Sequence, residues 1–413
     1  MKQNLWTAAL FAALLFAFPQ GSDAKIELSG AALVSVQDID FDSTTGGVDE
    51  DLNFNDPRIN LYVNADISDK ISIALGIWAG NDYSHENTRT VADGGTPVTG
   101  NNPGIAESLE LLNACIVIKD FLGSGLNLKP GLIDIPYGWE YAKRTNHGDD
   151  RNNEFITNGL LDINGTENGI SLSGSFEGHI KTPSTWEIAL MNGGGVVDGN
   201  PAGTGNQVRS NDDLAWALRV ETQVQDNLTV QASFYNSDQT KDGDQDPLNV
   251  GSSFLVQNVN STLGAGVNSN LQGLVFMNGY DRQMWEVSAK YDYGDGYLIG
   301  FWGNIDADTG TTGASREWNY MGLQGRYTFD ENSYLAVRWN QLDPDYVNSN
   351  TLGEPSLWSV AAGYKLADSA MVKAEWTTFD EDGDGFGNQL AANTNDRASQ
   401  DADALTLSLG VNF

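Results

Sequence analysis

The sequence predicts an all-β fold: a transmembrane, antiparallel, up-and-down β-barrel of about sixteen strands, with short periplasmic turns and long outer loops. Three observations predict it. Segments of eight to fourteen residues alternate between apolar and polar side chains. The connections between them alternate short and long. A short apolar leader precedes them all.

The leader comes first. Lys2 is followed by an apolar run from Leu5 to Phe18, then Pro19, with small residues at Ser22 and Ala24. That order fits a secretory signal peptide over 1–24, cleaved before Lys25. Fourteen apolar residues are too few to span a bilayer comfortably as a helix. The expected product is an exported barrel domain over 25–413, reaching a bacterial outer membrane through the periplasm.

The strands follow. In the last ten residues Leu405, Leu407, Leu409, Val411 and Phe413 share one face, and Thr406, Ser408, Gly410 and Asn412 the other. Period-2 alternation is the signature of a strand with one apolar and one polar side. The same reading gives strands near 26–36, 57–67, 70–79, 107–119, 125–135, 168–176, 184–192, 214–223, 228–236, 282–293, 296–303, 316–329, 332–342, 355–366, 370–379 and 403–413. The span 107–119 is ambiguous, because Leu111, Cys115 and Val117 make its second face apolar as well. Tight links such as Asp226-Asn227 and Gly294-Asp295 alternate with long ones at 37–56, 80–106, 136–167, 193–213, 237–281, 304–315, 343–354 and 380–402. A membrane barrel has this segregation of loop lengths. Aromatics at both ends of the outward faces, Tyr291, Tyr327 and Tyr364 below and Trp285, Trp339 and Trp358 above, suit the two bilayer interfaces.

Sixteen strands leave an aqueous interior, whereas about eight fill their own. Inward parity places Arg58, Lys129, Arg219, Lys290, Arg326, Arg338, Lys365 and Lys373 there, with Glu27, Asp66, Glu187, Glu221, Glu286, Asp292 and Glu375. The wall is mixed in sign, and each charge is expected to find an opposite partner on a neighbouring strand.

Composition excludes several classes. With 56 Asp+Glu against 22 Lys+Arg the net charge is −34, which repels nucleic-acid phosphates. One Cys excludes a disulfide framework. The three histidines, His85, His147 and His179, stand beside no recognisable nucleophile motif, so no catalytic residues are expected. The negative charge is concentrated: the eight long connections hold 35 acidic and 7 basic residues.

Three passages resemble the phosphate-selective porin O and P family. They are Gly131-Leu132-Ile133-Asp134-Ile135-Pro136-Tyr137-Gly138-Trp139-Glu140, Ala189-Leu190-Met191-Asn192-Gly193-Gly194, and the strand–turn–strand units of 316–413 ending in Phe413. The resemblance implies a porin whose 136–167 segment folds into the barrel and constricts it. Candidate constriction residues are Lys143, Arg144, Asp149, Asp150, Arg151 and Glu154. It also implies an anion- or phosphate-selective channel as one alternative, although Asp149 and Asp150 interrupt the basic run that phosphate selectivity would use.

The principal expectation is a homotrimeric channel for passive diffusion of ions and small hydrophilic solutes, cation-preferring because its outer loops are acidic. A second alternative is a barrel sheath around a secreted multihaem cytochrome, which would carry the haem because no CxxCH occurs here. No cofactor is expected beyond a weak Ca2+ site. Asp380, Asp382 and Asp384 match the first three acidic positions of an EF-hand loop, but Ala391 stands where its bidentate Glu should be. Expected partners are outer-membrane lipid and lipopolysaccharide, with divalent ions bridging loop carboxylates to lipid phosphates.

Overall fold

The computed structural model describes residues 25–43, 50–80, 108–139, 154–156, 161–164, 166–176, 182–192, 214–237, 249–252, 280–309, 315–346, 354–382 and 400–413. The expected signal peptide lies outside the described residues. In chain order the strands are β1 (Lys25–Ser43), β2 (Glu50–Ser68), β3 (Ile71–Gly80), β4 (Ser108–Phe121), β5 (Leu126–Asp134), β6 (Leu161–Asn164), β7 (Thr166–Ser175), β8 (Ser184–Met191) and β9 (Ala215–Gln225). They continue with β10 (Leu228–Ser237), β11 (Asn249–Ser252), β12 (Tyr280–Asp292), β13 (Gly296–Thr309), β14 (Ser315–Thr328), β15 (Ser333–Tyr346), β16 (Glu354–Ala367), β17 (Ala370–Asp382) and β18 (Gln400–Asn412).

All but β6 and β11 pair antiparallel with their sequence neighbours and close into a sixteen-strand barrel, β18 returning to β1. Closure is fixed by two reciprocal backbone bonds, Gly30 N–H to Phe413 O at 2.9 Å and Phe413 N–H to Gly30 O at 3.0 Å. A closed barrel leaves no unpaired edge, the condition for strands to sit in lipid.

The alternation has the expected sense. On β18, Leu405, Leu407, Leu409 and Val411 are exposed outward while Thr406, Ser408 and Asn412 are buried inward. On β12, Val287 and Tyr291 face out, and Met284, Glu286 and Ser288 face in. Tyr291, Tyr293, Tyr327, Phe329 and Tyr364 form an exposed lower band, and Trp302, Trp358 and Trp376 an upper one. On β1 to β4 the exposed large outward residues among the described side chains are aliphatic instead: Ile26, Leu28, Val34, Ile59, Ile71 and Ile116.

The structure departs from the sequence reading above the membrane band. β1 runs on to Ser43, β2 begins at Glu50, β13 reaches Thr309 and β15 reaches Tyr346, so parts of three expected loops are strand. Pairing continues there because cross-strand backbone bonds need no apolar face. The outer acids therefore stand partly on a sheet. Its register sets Asp40 opposite Asp403, Asp281 opposite Asp308, Glu317 opposite both Asp306 and Asp345, and Glu354 opposite Asp382. Asp380 and Asp382 likewise belong to β17, not to a loop, and Asp384 lies outside the described residues. A second departure is a small ribbon. β6 and β11, inside two segments expected to be loops, pair antiparallel with Val250 opposite Ile163.

Candidate functional site

β5 ends at Asp134, and the chain then enters the barrel. Ile133, Ile135 and Tyr137 are buried in one cluster with inward side chains of β8 to β14: Met191, Tyr235, Met284, Ile305, Trp318 and Tyr320. β14, which carries Trp318 and Tyr320, is seven strands round the ring from β5 and so lies almost across the lumen. This apolar inward sector departs from the all-polar lining read from the sequence. Bulky apolar residues can face inward here because the segment after β5 shields them from water.

Polar contacts fix the segment at both described ends. The Tyr320 hydroxyl donates to Glu286 Oε2 at 3.0 Å, which leaves its oxygen to accept from the Tyr137 hydroxyl at 2.9 Å. The Trp139 N–H donates to Glu286 Oε1 at 2.6 Å, and the Gly138 N–H to Ser233 Oγ at 2.9 Å. At the far end the Ile156 N–H donates to Glu375 Oε2, and the Tyr334 hydroxyl to the Glu154 carbonyl at 2.8 Å. Glu154 is buried, with Arg326 Nη1 at 3.4 Å and Gln324 Nε2 at 3.3 Å from its carboxylate. Phe155 lies beneath the Arg338 guanidinium, 4.3 Å from ring centroid to Cζ. Two wall carboxylates thus hold loop backbone, and one loop carboxylate is held by the wall.

The two anchoring tyrosines share a local device. Tyr320 pairs across the sheet with Gly303, and Tyr334 with Gly363. A Cβ on either glycine would meet the tyrosine ring, at 2.3 Å and 2.1 Å respectively. Each ring therefore lies flat over a bare stretch of neighbouring backbone, and this aims its hydroxyl along the wall at the loop.

The wall cations are paired, but seldom with an adjacent strand as expected. Arg219 meets Glu221 on its own strand at 2.7 Å and Gln231 at 2.8 Å. Lys290 meets Asp292 at 2.8 Å, also two residues on, and stands over the Tyr297 ring. Lys129 reaches from β5 across β7 to Glu187 on β8 at 3.2 Å, and Ser171 on the intervening strand also donates to that carboxylate. Arg338 reaches across β16 to Glu375 on β17 at 3.4 Å, with Ser359 between them 3.1 Å from Nη2. Fully buried serines on the middle strand leave room for both reaches.

Of the other candidates, Lys373 is buried on β17. Arg58 lies on β2, its side chain outside the described residues, as are Lys143, Arg144, Asp149, Asp150 and Arg151. No group of three or more metal-ligating side chains occurs among the described residues. The sequence reading placed Glu286 and Glu375 in the lumen without seeing their role, and it missed Tyr320 and Tyr334. Their one signal was parity: each is a tyrosine on an inward position, opposite a glycine.

A closed sixteen-strand barrel with its fifth strand's exit segment held inside defines a pore-type outer-membrane barrel. Residues 180–384, just under half of the chain, match the family model for Gram-negative porins. The fold is similar to that of the anion-selective porin from Comamonas acidovorans, at TM-score 0.56 and 10% identity over 95% of this chain and 100% of that one. It is also similar to OmpT of Vibrio cholerae, at 0.54 and 12% over 95% and 99%, and to the outer membrane channel DcaP of Acinetobacter baumannii, at 0.54 and 12% over 96% and 99%. The sequence matches none of the curated proteins compared with it.

Proposed function

We propose that the mature chain, residues 25–413 after cleavage of a 1–24 signal peptide, is a passive diffusion channel for ions and small hydrophilic solutes. Residues 136–167 narrow it. The observation that carries this reading is the docking of both described ends of that segment inside the barrel, by Glu286 at Trp139 and by Glu375 at Ile156. A segment tethered at two places on the far wall must cross the lumen, and everything that permeates passes beside it.

The channel prefers cations, and the preference arises at its outer mouth. Paired carboxylates compensate Arg219, Arg326 and Arg338 on the wall, so these arginines do not form an open anion ladder. Uncompensated charge is concentrated in the acidic outer segments, which enrich cations locally. Planar-bilayer reversal potentials in a salt gradient test this; anion preference would refute it and favour the anion- or phosphate-selective alternative.

Three copies associate through the β1–β4 sector. Its described large outward side chains on the strands are aliphatic, whereas aromatic bands line β12 to β17, which supports burial against another copy instead of contact with lipid headgroups. One solved form of OmpT from Vibrio cholerae is described as a trimer. Lipopolysaccharide is the outer-leaflet partner. Facing acids such as Glu317 and Asp306 on the strand ends suit divalent ions, Ca2+ included, that bridge to lipid phosphates. A cytochrome sheath is disfavoured because the described ends of that segment already dock inside the barrel, where an inserted partner would lie; copurification of haem with the detergent-extracted barrel would restore that reading.

A further inference from the structure

The sector of the lumen formed by β18, β1, β2, β3 and β4 differs from the wall that holds the loop. Its middle rows repeat one arrangement, a small residue flanked by polar ones. Ala31 pairs with Asn60 on one side and Asn412 on the other. Gly76 pairs with Tyr62 and Asn113, whose side-chain atoms would lie 3.2 Å and 3.0 Å from a Cβ placed there. Ser408 belongs to the same inward face of β18. Asn60 Oδ1, Asn113 Oδ1 and Ser408 Oγ accept no hydrogen bond within the protein, so the hydrogen-bonding capacity of the strip is not consumed by the wall. These acceptor atoms are recessed in the wall, while Asn60 and Asn113 are only half-buried as whole residues. Among the described inward side chains of this sector, charges occur only at the periplasmic end, where Lys25 meets Glu27 and Lys119 meets Asp66. Arg58 and Glu110, of opposite sign, lie toward the outer end with side chains outside the described residues.

We propose that this strip is the pathway for small uncharged polyhydroxylated solutes. The inference rests on the channel reading above and names the solute class the constriction favours. A neutral solute exchanges water hydrogen bonds for amide and hydroxyl partners on the strip. An ion of the same size sheds hydration and finds no counter-charge there. The acidic mouth and the neutral strip then act in series, the first on ions and the second on neutral molecules.

The test is uptake of labelled glucose, gluconate and glucosamine into proteoliposomes of the full channel with about 1 M salt on both sides, where exposed charge is screened within about 3 Å. Glucose should enter at least about threefold faster than either ion, as uncompensated desolvation of the charge requires. At about 0.01 M salt glucosamine should overtake gluconate as the collar recovers its reach. An ion entering faster than glucose at high salt would overturn the proposal. The variant Asn60→Asp/Asn113→Asp should raise glucosamine relative to glucose several-fold at high salt; an unchanged ratio in a folded barrel would also overturn it. If heat-modifiable electrophoretic mobility shows that variant unfolded, Ser408→Asp carries the same expectation from another strand. Absence of uptake of all three solutes by a folded barrel would instead overturn the channel reading itself.

Discussion

The inward faces of β12 and β14–β17 include long charged side chains that are already engaged, whereas the middle rows of β18 and β1–β4 are mostly small, hydroxylated or amide residues. Glu286, Arg326, Arg338 and Glu375 each contact the segment that follows β5 or another wall charge. Asn60, Asn113 and Ser408 keep acceptors that the protein does not use. The same barrel geometry thus builds a rigid half that holds a loop and a simpler half that faces what passes. Charge on the inner wall is consumed in structure, and charge that can act on ions is left to the outer ends of the strands.

The contrast can be broken most severely at Arg338. Its side chain is 5% exposed and that of its partner Glu375 0%, so Arg338→Ala takes a guanidinium away from a buried carboxylate. The expected loss is roughly 3–5 kcal/mol, read as a lowered urea midpoint for the barrel in micelles. Lys129→Ala removes the same kind of cation–serine–carboxylate bridge where the side chains are 27% and 11% exposed, and should cost clearly less. Equal losses would mean that burial does not distinguish the two bridges.

A smaller effect is expected from inward glycines. In the loop-holding half, Gly363→Ala drives a Cβ to 2.1 Å of the Tyr334 ring and should cost about 1–3 kcal/mol through overpacking. On β18, Gly410→Ala meets only Leu33 Cδ1 at 3.6 Å and should change stability by no more than about 0.5 kcal/mol. If the two substitutions behave alike, the tyrosine cradle has no special packing role.

The smallest effect belongs to neither half. Asp330, in the turn before β15, accepts from the Asn332 and Ser333 N–H groups at 2.7 and 2.8 Å, and these bonds hold its carboxyl below the ordinary value of 3.8. A depressed carboxyl stabilises the fold above its unfolded pKa and loses that contribution as pH falls through the folded value. Asp330→Ala should therefore lower the unfolding midpoint slightly at pH 7, and the difference from the parent should fade in strong acid. A difference independent of pH would show that the carboxylate is not the cause.

The sixteen barrel strands were legible because one apolar face repeats every second residue, as in Leu405 to Phe413. Their outer ends were not, because Asp306 and Asp308 on β13 keep backbone pairing without any apolar alternation. The pairs Arg219–Glu221 and Lys290–Asp292 could be read from spacing, since residues two apart share a strand face. The bridge from Arg338 to Glu375 could not, because it skips a strand and depends on the small Ser359 between them. The loop anchors were hidden for a related reason. Tyr320 and Tyr334 read as ordinary strand aromatics until the register sets Gly303 and Gly363 opposite them.

The most direct test is the single-channel conductance of Glu286→Gln/Glu375→Gln in 1 M KCl. Each substitution replaces a charge-assisted bond to loop backbone with a neutral one, and bonds to charged groups contribute roughly 1.5–3 kcal/mol. The wall-held segment should loosen, and conductance should rise by about half or more, with added current noise, in a barrel that still folds; opening a constriction in this way is how a narrowed pore gains current. An unchanged, quiet conductance in the folded double variant would contradict the claim that these two carboxylates hold the constriction in place.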